Sequence, residues 1–193
     1  MSSASEKMSI LRRRAFTLIE LLVVIAIIII LAGLILSTIG YVQNNGSRSR
    51  AEAEIAAISA ALESYKADNG IYPHDDTATD TLDPAVSINL ANYGLASLYL
   101  YEQLSGDANA NRKIDASETG KSYFAFKPNQ LSPTDQTQTV TAIRDPFGNS
   151  YGYSTAKATT PSGTIGNNPT FDLWSTTGAT SGAPNQAQWI KNW

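Results

Sequence analysis

The sequence predicts an α+β fold: one long N-terminal helix followed by a small antiparallel sheet of three to four strands. Three observations lead there. Residues 16–40 form a nearly unbroken apolar run. Ser47–Asp68 is alanine-rich and places apolar residues at helical spacing. Roughly the last 120 residues of the 193-residue chain are polar, rich in Thr, Asn, Gly and Ser, and divide into short β-type segments between turn signals.

Composition removes whole classes of function. There is no Cys, which excludes disulfides, thiolate metal sites and cysteine catalysis. His74 is the only His, so a multi-His zinc centre is impossible and any Ser-His-Asp triad would have to use that residue. The net charge of −3 gives no reason to expect a nucleic-acid partner.

The N-terminal run comes first in order. Leu21–Leu36 is sixteen residues without a polar side chain. The stretch 16–39 has 24 residues, roughly 36 Å as a helix at ~1.5 Å per residue and enough for a hydrocarbon core of about 30 Å. Arg12, Arg13 and Arg14 abut it, which puts this end in the cytoplasm and the C-terminus outside. A cleaved secretory signal fits poorly, because the apolar core is too long and no A-x-A site follows. A plain anchor leaves Glu20 unexplained, since a carboxylate within a spanning helix costs on the order of 2.5–3.5 kcal/mol at its centre and less near the interface.

AFTLIELLVV at residues 15–24, after a basic leader, resembles the N-terminus of the type IV prepilins and type II secretion pseudopilins. The resemblance implies that residues 1–15 are a leader. A prepilin peptidase and N-methyltransferase would remove it between Ala15 and Phe16 and methylate the new Phe16 amine. Ala15 stands where the family usually has Gly. Cleavage leaves a cation at Phe16 four residues before Glu20. In a filament, the Glu20 carboxylate of one subunit neutralises the Phe16 amine of its neighbour, which offsets the burial of either charge and sets the axial register.

The expected organisation is then a leader (1–15), a transmembrane and polymerisation half of the stalk helix (16–40), an amphipathic half (41–70) and a globular head (71–193). In the amphipathic half Ile55, Ile58, Leu62 and Tyr65 make a narrow stripe at spacings of 3, 4 and 3. Asn69-Gly70 marks the helix stop, and Pro73 prevents continuation. The whole resembles the lollipop subunits of pilin-like filaments.

In the head, residues 74–93 read as a surface loop and Gly94–Ser105 as a helix turning Leu95, Leu98 and Tyr101 or Leu104 inward. Ser122–Lys127, Gln138–Ile143, Tyr151–Ser154 and Phe171–Ser175 read as strands. Asp145-Pro146-Phe147-Gly148 suits a type I turn. Four segments resemble the major pseudopilin of type II secretion: YKADNGIYP at 65–73, DPFGNSY at 145–151, FDLWSTTGA at 171–179 and the ending Ile190, Asn192, Trp193. In that family acidic residues of the C-terminal loops bind calcium. Thr180, Gln188 and Trp189 occupy those places here and no acid follows Asp172, so that site is expected to be absent.

A different calcium pattern lies at 107–118. On the EF-hand loop register, Asp107, Asn109 and Asn111 take the first, third and fifth positions. Lys113 offers its carbonyl at the seventh, Asp115 takes the ninth and Glu118 closes the shell at the twelfth. Arg112 replaces the usual Gly at the sixth, where a left-handed residue costs about 1–2 kcal/mol. The plain alternative is a solvated Asp/Asn turn.

The expected function is structural and not enzymatic. The resemblance implies a pseudopilin that polymerises with other prepilin-like subunits on an inner-membrane assembly platform, to drive export across the outer membrane. Before assembly it would be single-pass in the inner membrane with its head in the periplasm; the filament would be periplasmic or extracellular. A surface type IV pilus subunit for adhesion, motility or DNA uptake is the alternative. A third class, an anchored enzyme or carbohydrate-binding module, would rest on exposed Trp174, Trp189 and Trp193.

Overall fold

The computed structural model describes residues 16–85, 90–179 and 186–193; the side chains of 35–41 and 90–92 lie outside that description. Helix α1 spans Leu18–Asn69 and remains helical through Gly33, Gly40 and Asn44-Asn45-Gly46. Gly70, at φ +82°, ends it, with its N–H on the Lys66 carbonyl. The chain divides into two compact units, Met1–Gln43 and Asn44–Trp193.

In the first unit every described side chain from Phe16 to Leu34 is exposed, Ile29 by 68% and Ile19 by 71%. Among the described residues no helix is long and apolar enough to cross a membrane. The span expected at 16–40 is only partly covered by them, because the described side chains stop at Leu34.

The second unit is built on one stripe of α1. Ala51, Ile55, Ile58, Ala61 and Leu62 are buried and Tyr65 half-buried, the face that the periodicity predicts. Burying a side chain the size of Ile58 or Leu62 stabilises by about 1.5–3 kcal/mol. Helix α2 (Leu90–Ser105) begins four residues before the expected Gly94. It turns Tyr93, Ala96, Leu100, Tyr101 and Leu104 inward, while Leu95 is 61% exposed. Of the residues expected inward, Tyr101 and Leu104 are buried and Leu98 packs half-buried against the core, so only Leu95 departs from the expected face. Residues 74–85 are also less of a free loop than expected: Thr79, Leu82 and Pro84 are buried in a turn that Asp75 holds together.

Two small antiparallel sheets complete the unit. Strands β1 (Leu131–Ser132) and β2 (Ala142–Ile143) pair Leu131 with Ile143. Strands β3 (Gly152–Ser154), β4 (Asp172–Ser175) and β5 (Ile190–Lys191) lie in that order, with the short helix α3 (Ala156–Thr159) after β3. β3 and β4 fall where expected, β2 is only the end of the expected Gln138–Ile143, and β1 and β5 were not expected as strands. Ser122–Lys127 is not a strand. The N–H groups of Tyr123 and Phe124 both donate to the Leu104 carbonyl at the end of α2, so this segment satisfies one orphan helix carbonyl instead of a ladder.

The Asp145–Gly148 turn forms as predicted, with Gly148 N–H on the Asp145 carbonyl at 3.0 Å and Gly148 at φ +98°. Gly152 faces Trp174 in register, and a Cβ there would lie 2.1 Å from the indole. Trp174 is fully buried and stacks on Trp189, itself 5% exposed, at 6.1 Å and 4°. These two indoles are core, which removes the exposed aromatic platform that a carbohydrate-binding reading needs.

Candidate functional site: the helix start and the 107–118 loop

Ala15 and the leader lie outside the described residues. Phe16 is 76% exposed just before α1. Thr17 Oγ1 accepts the Glu20 N–H at 3.2 Å, so Thr17 is the N-cap and Glu20 the third helical residue. This is the Thr-x-x-Glu spacing of a capping box, a signal present in the sequence that the reading of Glu20 as a charge partner passed over. The position also suits a carboxylate electrostatically, since the helix start carries a partial positive charge. A new amine at Phe16 would be repelled by that same partial charge, so a nearby carboxylate is needed more, not less. Among the described residues the Glu20 carboxylate has no ion-pair partner within its own chain.

The 107–118 segment brings all six expected residues into one loop. Gly106, at φ +81°, turns the chain out of α2; a Cβ there would lie 2.9 Å from the Gly120 carbonyl oxygen. Asp107 is buried, and its two carboxylate oxygens accept from Asn111 N–H, Arg112 N–H and the Tyr101 hydroxyl. Burial and the Asp107 acceptor push the Tyr101 hydroxyl upward, so it stays a donor. Asn109 Oδ1 accepts Asn111 N–H at 3.0 Å, and Asn111 Oδ1 accepts Lys113 N–H at 2.8 Å. Glu118 reaches back with one oxygen on Ala108 and Asn109 N–H and the other on Asp115 N–H. Arg112 adopts φ +73°, the left-handed turn that the sixth position requires. Its guanidinium donates to the Pro133 and Gln138 carbonyls, which offsets the cost of that conformation.

The electrostatics are those of a loop neutralised by its own amides. Hydrogen bonds from Asn109 and Asn111 hold the Asp115 carboxyl below its ordinary range. Glu102, half-buried nearby, is raised by burial and by Asp107. Among the described residues the carboxylates of Asp107, Asp115 and Glu118 do not all come within 4.8 Å of one another, and the Nδ2 groups of Asn109 and Asn111 both donate to Asp115 Oδ2. The donors suit a hard cation in kind, and the Lys113 carbonyl accepts no hydrogen bond from the described residues. In the C-terminal region Thr180 lies outside the described residues. Asp172 accepts the N–H groups of Asn167 and Asn168, and Asp145 accepts the Ser175 hydroxyl.

With this geometry in place, the similarities to known proteins can be stated. Residues 10–36 match the family profile described as prokaryotic N-terminal methylation motif. The chain is 34% identical over 84 residues to the type II secretion system core protein G of Pectobacterium carotovorum subsp. carotovorum, covering 42% of this chain and 54% of that protein. It is likewise 34% identical over 84 residues to the protein of the same name from Escherichia coli (strain K12), covering 42% and 58%. To that of Pseudomonas aeruginosa it is 37% identical over 71 residues, covering 37% and 50%. The chain spans about half the length of the curated relatives it matches. No solved structure matches.

Proposed function

We propose that this chain is a structural, non-enzymatic subunit of a pilin-like filament, the type II secretion pseudopilus that drives protein export across the outer membrane. One observation carries the reading: an apolar helix exposed on all sides from Leu18 to Leu34 begins at a Thr17 cap that sets an unpaired Glu20 in its first turn. A contiguous apolar surface of that kind needs lipid or other helices around it. The methylation-motif match and the similarity to core protein G support the same reading. In it, a prepilin peptidase cuts between Ala15 and Phe16 and the Phe16 amine is methylated. The 16–40 half rests in the inner membrane with the head in the periplasm. Extraction by the assembly platform then exchanges lipid for the helices of neighbouring subunits. Glu20 of each subunit pairs with the Phe16 amine of the next, and two charges that are costly alone become a register mark.

The 107–118 loop is proposed to take calcium as a structural ion of the head. Its left-handed Arg112 and its back-bonded Asn109 and Asn111 support that reading. A cation would replace the two amide donors on Asp115 and draw the three carboxylates inward.

Intact-mass measurement of the membrane-extracted protein tests the main reading. The expected product lacks residues 1–15 and carries one methyl group on Phe16, and a bulky residue in place of Ala15 blocks the cut. A mature chain that begins beyond residue 36 overturns it.

A further inference from the structure

The turn after α1 holds three side chains of metal-ligating type to which the proposed function gives no role. The donor atoms of His74, Asp76 and Asp80 all lie within 4.8 Å of one another, the only such group among the described residues. His74 Nδ1 is 3.1 Å from Asp80 Oδ2. Ligands of a tetrahedral ion with bonds of about 2.0–2.2 Å lie roughly 3.4 Å apart, so this pair is already near that spacing, with an Asp76 oxygen within 4.8 Å of both.

The surrounding structure fixes the backbone of this turn and Asp80 Oδ1, while His74 Nδ1 and Asp80 Oδ2 pair with each other. Asp75 pins the backbone: its Oδ1 accepts from the N–H groups of Thr77 and Ala78 and from the Thr77 hydroxyl at 2.7–2.9 Å. Its carbonyl accepts the Asp80 N–H at 3.0 Å. Asp80 Oδ1 is held by the Thr155 hydroxyl at 2.6 Å, which leaves Oδ2 for His74. The His74 carbonyl is held by the Tyr99 hydroxyl at 2.6 Å. Partners of this kind, outside the ligands themselves, are what orient a ligand set toward an ion. Asp76 is exposed, and its carboxylate has no partner among the described residues. His74 also lines a cavity of about 270 Å³ with Tyr72 and Thr155.

We propose that His74, Asp76 and Asp80 form a site for a divalent transition cation of the zinc type. One imidazole with two carboxylates is a borderline donor set, whereas calcium takes oxygen ligands alone. The site is thus chemically separate from the all-oxygen 107–118 loop.

Zinc titration of the full chain in detergent, with millimolar calcium present to occupy any oxygen-only site, tests this. His74 supplies the only imidazole in the protein, so its ring-proton NMR resonances report on the site without assignment. They are expected to shift and saturate at one equivalent of zinc, with a rise in the melting temperature. Asp76→Asn changes an exposed, unpartnered carboxylate and leaves the fold intact; it is expected to weaken zinc binding about tenfold or more. Resonances that stay in place under excess zinc overturn the proposal. So does an equal response in Asp76→Asn, which reduces His74 to a lone surface imidazole.

Discussion

Two stretches of α1 share one backbone and differ in everything around it. From Leu21 to Leu34 the helix is apolar on every side and exposed on every side. From Ala51 to Tyr65 only one stripe is apolar, and that stripe is buried while Glu52, Glu63 and Ser64 face water. Hydrophobicity alone would have placed the core in the first stretch. Arrangement decides otherwise: a stripe packs against one partner surface, whereas an all-round apolar helix needs a surrounding medium or a ring of neighbours. In the proposed function the first stretch serves assembly and the second serves folding, and substitutions should separate the two roles.

The largest separation is expected at Glu20. Glu20→Ala should leave cleavage and the head intact but abolish filaments, because the neighbouring Phe16 amine would be buried without a partner. Electron microscopy of assembled material checks this, and normal filaments would remove charge pairing from the assembly mechanism. The next contrast is within the helix. Leu62→Ala should cost about 2–5 kcal/mol by opening a cavity in the core. Ile28→Ala, at an exposed position, should stay within about 0.5 kcal/mol. Denaturant melts of the full chain in detergent read both, and equal losses would erase the distinction between the two stretches.

A smaller effect concerns the head alone. If the 107–118 loop takes calcium, a concentration 100 times the dissociation constant should stabilise the native state by about 2.7 kcal/mol. Glu118→Ala should remove that gain while the unliganded protein loses about 1–2 kcal/mol from three released N–H groups. A melting temperature indifferent to both calcium and chelator leaves the loop a self-bonded turn.

The smallest effect is on acid stability. The Asp115 carboxyl is held below its ordinary value of 3.8, so its contribution is present above about that pH and lost as pH falls through the lower folded value. Asp115→Asn should lower stability slightly at neutral pH and flatten this part of the acid limb, so that the two proteins converge as pH falls. Amide exchange at Asn109 and Asn111 between pH 5 and pH 2 follows it.

What the sequence by itself determined is local or periodic. The 3-4-3 spacing of Ile55, Ile58, Leu62 and Tyr65 specifies the buried face of α1, because helical geometry converts spacing directly into direction. Asp145-Pro146-Phe147-Gly148 specifies its turn, because each residue's own backbone preference is enough. The D-x-N-x-N register of 107–111 likewise carried its left-handed sixth position, even with Arg112 in place of Gly.

What only the tertiary structure decided involves groups distant in the chain. The two-residue strands Leu131–Ser132 and Ile190–Lys191 are too short for any period and exist because Ile143 and Ser175 present a ladder to them. SYFAFK has the alternation of a strand, yet it finds no edge to join and its N–H groups complete the end of α2 instead. On α2 only Leu95 departs from the expected inward face; Ser97, whose hydroxyl exchanges hydrogen bonds with the Ile143 backbone, anchors the buried side, a contact 46 positions away that no local spacing encodes. His74, Asp76 and Asp80 are close in sequence, but their convergence depends on Thr155 and Tyr99. Those residues lie 75 and 25 positions from their partners, Asp80 and His74, and no local pattern encodes such contacts.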